Sequence, residues 1–188
     1  MSTDRQQSFI ATIGTPNTLL HFLDYIHARP AIVSVSDFSG GFFTGRPQTR
    51  DDSHFLGLRA DVPVDARPRL TLYFRFTGTA YRLYIRSPGP YYGKCLSMSD
   101  QDFFGAYESE GASTFDLINE RGIPVTLSAI KSDWSNIYLR PRDEGLLHVQ
   151  RRIESPYVYI ANKGARPLLF NINIKERNAA YLSHPDEV

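Results

Sequence analysis

Hydrophobic and polar residues alternate in short runs along most of this chain, and one stretch departs from that rhythm. Between Thr15 and Arg29, the residues Leu19, Phe22, Leu23 and Ile26 fall at i, i+3, i+4 and i+7, the spacing of one helical face. Thr15 suits an N-cap and Pro16 the first helical position. Pro30 ends the run, because the residue before a proline is pushed out of helical geometry. The spacing predicts a short helix that packs its apolar face on the rest of the chain.

From Ala31 onward the period changes to that of strands, and four segment types recur in the same order. The first type is Ile32–Val35, then Tyr81–Ile85, then Val125–Ile130. The second is Gly41–Thr44, then Gly93–Ser97, then Asn136–Arg140. The third is His54–Leu58, then Asp102–Ala106, then Gly145–Val149. The fourth is Leu72–Phe76, then Ser113–Leu117, then Leu168–Ile172. In the fourth type Phe74, Phe115 and Phe170 align, followed two residues later by Phe76, Leu117 and Ile172. Period-two spacing puts both members of each pair on one sheet face.

Four strands taken three times is the arrangement of a β-trefoil, and from about Ala31 to Ile174 the chain resembles that superfamily. The run Gly93-Lys94-Cys95-Leu96-Ser97, Phe104-Gly105-Ala106 and Thr114-Phe115-Asp116-Leu117 looks like one repeat of its lectin-like and fascin-like members. The resemblance implies an all-β domain, a six-stranded barrel capped by three hairpins. Its units are expected at about 31–78, 79–122 and 123–178 within a domain over 31–188. Residues 1–30 form an N-terminal extension with the short helix. Two features depart from a minimal trefoil: that helix, and an added apolar segment, Tyr157–Ala161. The Gln-any-Trp signature of ricin-type lectins is absent, since Trp134 is the only tryptophan and no Gln precedes it by two.

Composition narrows the picture. The chain has 188 residues, enough for one well-buried core, and no Pro/Gly/Ser-rich linker divides it. Its 21 Lys+Arg against 20 Asp+Glu give no basic excess, which argues against nucleic acid as partner. One cysteine, Cys95, precludes an intramolecular disulfide and any CxxC metal site. No apolar run approaches the ~20 residues of a membrane span, and the polar N-terminus lacks a signal-peptide pattern. The expectation is a cytoplasmic protein, or one exported without a cleaved signal.

Candidate chemistry centres on a turn shared by two units: Ser36-Asp37-Phe38-Ser39 and Ser132-Asp133-Trp134-Ser135. A carboxylate beside an exposed ring suits a sugar, because the carboxylate accepts hydroxyl hydrogen bonds and the ring packs on the apolar C–H face. Asp37 with Phe38, and Asp133 with Trp134 and nearby Asn136, make two expected ligand sites. Tyr91 and Tyr92 after Ser87-Pro88-Gly89-Pro90 make a third, altered one. The same residues also suit ordinary hairpin turns with the rings buried as core, so two readings stand.

Little else in the sequence points to a reaction. The five histidines show no metal spacing, and His54 and His148 read as structural strand residues. Cys95 reads as a buried inert thiol. The basic stretch Arg140-Pro141-Arg142 and Arg151-Arg152 is interrupted by Asp143, Glu144 and Glu154, as on a solvated face. No glycine pattern marks a nucleotide site, and no catalytic residue, metal or cofactor is expected. The leading expectation is a non-catalytic, lectin-like module that binds a glycan or glycoprotein. The alternative is a trefoil inhibitor or effector that presents Ser87–Pro90 or Asp61–Asp65 to a protein partner. A faint similarity of residues 15–84 to the start of ribosome-inactivating N-glycosidases lacks the helical Glu-Ala-any-Arg site which that class requires.

Overall fold

The computed structural model describes residues 3–35 and 48–180. In chain order the first strands are β1 (Phe9–Gly14), β2 (Leu19–Phe22), β3 (Ile32–Val35), β4 (Gln48–Asp51), β5 (Leu56–Arg59) and β6 (Leu70–Phe76). Next come β7 (Tyr81–Ile85), β8 (Cys95–Met98), β9 (Phe104–Tyr107) and β10 (Phe115–Ile118). The last are β11 (Pro124–Val125), β12 (Trp134–Pro141), β13 (His148–Arg151), β14 (Val158–Ala161) and β15 (Phe170–Arg177). Among the described residues two short α-helices, α1 (Asp4–Gln7) and α2 (Leu23–His27), accompany the strands of this all-β fold.

Six strands close into a barrel. β1 lies between β15 and β6, β6 pairs with β7, and β12 lies between β10 and β15. The ring is completed where Phe115 of β10 faces Tyr81 of β7. Closure removes the unpaired edges that an open sheet would expose. The barrel interior is apolar: Phe9, Ala11, Leu70, Leu72, Phe74, Leu83, Phe115, Leu139, Phe170 and Ile172 are fully buried. Phe9 and Phe74 stack with ring centroids 4.4 Å apart, and Tyr81 meets Phe9 edge-on at 5.6 Å. Phe74, Phe115 and Phe170, aligned in the sequence, all belong to this core.

Three hairpins, β2–β5, β8–β9 and β13–β14, stand on the barrel. They are joined in a ring: Val158 faces Leu58, Phe55 bridges to Gly105, and Phe103 bridges to Ala161. At their centre the rings of Phe55, Phe103 and Tyr159 form a triangle, with centroids 5.4, 5.0 and 6.1 Å apart. The chain order gives each hairpin one corner of that triangle.

Several expected elements shift. The segment read as helix over Thr15–Arg29 begins as strand β2, and only Leu23–His27 is helical. Leu19, Phe22, Leu23 and Ile26 are all buried as the spacing implied, but β2 is covered on both faces, with Leu20 and His21 buried as well. A strand buried on both faces loses its alternation, and here it ran into a helical turn. Thr15 caps nothing: its Oγ1 donates to the Thr18 carbonyl at 2.6 Å. Within the expected N-terminal extension, Phe9–Gly14 supplies a barrel strand and Leu19–Phe22 a hairpin strand. Among the described residues Ile32–Val35 pairs only with β4, as a two-stranded hairpin inserted between β2 and β5. In the third unit Asn136–Arg140 lies in barrel strand β12, and the supposedly added Tyr157–Ala161 contains the hairpin strand β14. Val125–Ile130 holds only the second residue of β11, followed by a 3-10 turn over Leu127–Ala129. Gly41–Thr44 lies outside the described residues.

The hairpin ring demands close backbone approach. A Cβ on Gly57 would sit 2.7 Å from the Val158 carbonyl oxygen and collide with Leu23, and one on Gly105 would sit 2.8 Å from the His54 carbonyl oxygen. Gly57→Ala is expected to destabilise the fold by about 1–3 kcal/mol through overpacking. Gly145→Ala, whose added Cβ meets nothing nearer than 3.7 Å, is expected to change stability by less than about 0.5 kcal/mol. Urea denaturation of the two variants checks this.

Candidate functional site

The residues named from the sequence fall in three places. Asp37 and Phe38 lie outside the described residues. Asp133, Trp134 and Asn136 share one exposed surface at the start of β12. Trp134 is 57% exposed, so it is not core. The guanidinium of Arg69 lies 5.5 Å from its ring centroid and also donates to Asn171 Oδ1 at 2.5 Å. Trp134 and Asn136 project from one face of β12, opposite Asn173 and Asn171 of β15. The Asp133 carboxylate accepts from Arg177 at 2.9–3.0 Å. Turn bonds are present too: Trp134 N–H donates to Ser132 Oγ at 3.2 Å. Turn and exposed ring coexist in this segment.

Tyr91 lies elsewhere, in the wall of a cleft of about 560 Å³, a size typical of small-ligand sites. Tyr92 is exposed and packs near Arg86, with 5.8 Å from the guanidinium to its ring centroid. The cleft is built by the end of β2 with α2, by Asp51 at the end of β4 and Ser53 just after it, by Arg67, and by the loop Ser87–Tyr91. α2 is short because Ala28 takes the left-handed conformation, φ 53°, and stops it. That stop presents Asp24 and Tyr25 to the cleft while Leu23 and Ile26 enter the core.

Within the cleft, His21 and Tyr25 stack with ring centroids 4.0 Å apart, and Arg67 sits 5.5 Å from the centre of the Tyr25 ring. His21 Nδ1 accepts from the Phe22 N–H at 2.9 Å, which leaves Nε2 to carry the proton of the neutral ring. Burial, with Arg67 adding to it, lowers the His21 pKa to about 4. Tyr91 donates its hydroxyl to Asp24 Oδ2 at 2.8 Å, while Asp24 Oδ1 accepts from the Tyr25 N–H at 2.7 Å. Burial first, and then Asp24, hold the Tyr91 phenol well above its ordinary pKa. Hydrogen bonds from Ser53 lower the pKa of Asp51 and keep it charged. Asp24 and Asp51 thus face Arg29 and Arg67, and the formal charges of the wall cancel.

The wall is fixed from beneath. Asp52, between Asp51 and Ser53, is fully buried and accepts from Tyr159 OH at 2.5 Å and from Arg50 at 2.5 and 2.9 Å. Its N–H donates to the Ala31 carbonyl, and Ser53 Oγ accepts from the Ala31 N–H at 2.9 Å.

Sequence reading missed His21, Asp24, Tyr25, Asp51 and Arg67. The one available signal was that Asp24 and Tyr25 lie off the apolar stripe of the expected helix. Cys95 is fully buried, and burial pushes its thiol up to about 12. Among the described residues no group of three or more His, Cys, Asp or Glu is placed to hold a metal ion, and no helix is long and apolar enough to cross a membrane. No protein-family model, no curated protein and no solved structure matches this chain.

The state of His21 makes stability pH-dependent. Its folded pKa lies below its unfolded value of 6.5, so the unfolded chain takes up the proton first. The contribution is complete above pH 6.5 and is lost as pH falls toward 4, on the order of 3 kcal/mol. Urea midpoints at pH 7 and 4.5 are expected to differ clearly less for His21→Gln than for the unmodified chain. An equal difference in both would contradict the assignment.

Proposed function

We propose that this chain is a non-catalytic, lectin-like module of the β-trefoil type that holds a neutral saccharide in the cleft beside α2. Support for the trefoil reading is the closed six-stranded barrel, the three hairpins, and the triangle of Phe55, Phe103 and Tyr159 with one ring from each hairpin. Fold alone does not carry the function.

The observation that carries it is the stacked His21–Tyr25 pair flanked by the carboxylates of Asp24 and Asp51. Tyr25 is partly exposed and offers its ring to an apolar C–H face. Asp51 and Asp24 accept hydroxyl hydrogen bonds, and Arg29 and Arg67 donate them. A wall with cancelling charges favours a neutral polyol over an ion. Hydrogen bonds already made by Asp24, Tyr91 and His21 hold the cleft in shape before a ligand arrives, which lowers the entropy cost of binding. The exposed Trp134 and Asn136 offer a second, weaker contact surface, and two such contacts on one chain raise avidity for a multivalent glycan.

A second reading rests on the rim. Pro88, Gly89 and Pro90 are exposed, and the prolines stiffen a loop that suits insertion into a protein partner.

A glycan array with purified protein, followed by titration of a hit, tests the proposal. Binding is expected, and Tyr25→Ala is expected to weaken it by about ten- to a hundredfold, as for an aromatic anchor. Asp51→Asn is expected to weaken it with less effect on stability. Unchanged glycan binding in both variants, or no glycan signal at high protein concentration, overturns the saccharide reading and favours the protein partner.

A further inference from the structure

A second groove, about 650 Å³, runs between the β2–β5 and β13–β14 hairpins, with a different charge balance. Arg59, Arg151 and Arg166 line it against one carboxylate, Asp61. Arg59 is fully committed: Nε and Nη2 donate to Asp61 at 2.8 and 2.9 Å, and Nη1 to the Ile26 carbonyl at 2.8 Å. Its charge is neutralised in place. Arg151 and Arg166 are exposed, and neither guanidinium has an ion-pair partner among the described residues.

The other arginines of the basic stretch are used. Arg140 pairs with Asp116 at 2.6 Å, Arg142 donates to Thr79 Oγ1 at 2.5 Å, and Arg152 pairs with Glu154 at 2.5 Å. Of that stretch, Arg151 alone lines the groove, and Arg166 joins it from a loop distant in sequence. The juxtaposition is built into the backbone. Val149 N–H donates to the Arg166 carbonyl at 3.2 Å, and Ala165 N–H donates to the Val149 carbonyl at 3.3 Å. Arg151 follows Val149 by two on β13 and so shares its face. Gly164 lets the loop press on β13, because a Cβ there would collide with the Val149 carbonyl oxygen. On the opposite wall, His27 Nε2 is buried without a hydrogen-bond partner.

We propose that this groove is an oxyanion site that takes a phosphate or sulfate group between Arg151 and Arg166, with His27 Nε2 as a third contact. Two planar guanidinium groups match the oxygens of a tetrahedral anion by paired N–H···O bonds. The net positive lining attracts a dianion into a cleft where solvent screening is weaker than on an open face. The orphaned His27 nitrogen gains the partner that the protein itself does not supply. This site is independent of the neutral-saccharide cleft.

Inorganic phosphate and inorganic sulfate are titrated separately into the 15N-labelled full chain at low ionic strength, with a sugar monophosphate and a sugar monosulfate as parallel arms. Saturable shifts are expected at Val149, Arg151, Arg166 and the His27 ring. Arg151→Gln with Arg166→Gln is expected to weaken binding by about tenfold or more, the loss of two charge-assisted contacts. Lys131→Gln, an exposed cation outside the groove, is expected to leave it unchanged. Tighter binding of the esters than of the free anions identifies an esterified ligand, and equal binding identifies the free anion. Absence of saturable shifts in the groove overturns the proposal, as does equal affinity in the double variant. Since both variants alter exposed side chains, folding is not at issue, and Tyr25→Ala leaves this titration unchanged while it weakens saccharide binding.

Discussion

The carboxylate of Asp52 is the point on which the cap of this fold depends. A charged group with no exposed surface is costly unless it is paired and hydrogen-bonded. Asp52 meets that condition by accepting two bonds from Arg50 and one from Tyr159. The phenol of Tyr159 is one corner of the aromatic triangle, and its proton is held by burial and by Asp52 itself. One polar contact therefore ties the connection between β4 and β5 to strand β14, more than a hundred residues away in sequence. The neighbours of Asp52, Asp51 and Ser53, form a wall of the cleft. The interaction that closes the cap also sets the site.

Legibility in the sequence was uneven, and the reasons are physical. The second expected unit was read nearly strand for strand, because β7, β8, β9 and β10 follow one another in chain order with no other strand between them. The first expected unit was displaced because β2 is buried on both faces and runs directly into α2, which mimics one long helical face. The inserted β3–β4 hairpin alternates like a repeat strand and took the place of β1. In the third expected unit the frame slipped by one strand, so β14 looked superfluous although Tyr159 completes the aromatic triangle. The aromatic core of the barrel was visible, since Phe74, Phe115 and Phe170 each precede a second apolar residue by two and are fully buried.

The sites were less visible for a different reason. Asp133, Trp134 and Asn136 are close in sequence and stay close in space. The cleft gathers residues from four separated segments, at 21–30, 51–53, 67 and 85–91, and no local pattern joins them. Tyr91 belonged to it, but for a reason the turn did not reveal: its hydroxyl locks Asp24. The near-neutral total charge hid a partition as well. One cleft balances two carboxylates against two guanidiniums, and a second groove keeps two arginines without acidic partners among the described residues.

A double-mutant cycle between Asp52→Asn and Tyr159→Phe, read by urea denaturation, tests this account most directly. A hydrogen bond to a buried charge predicts a coupling energy of about 1.5–3 kcal/mol. A coupling within about 0.3 kcal/mol of zero would mean that the two side chains act independently. The cap, and the cleft wall beside it, would then have to be held in place by something other than Asp52.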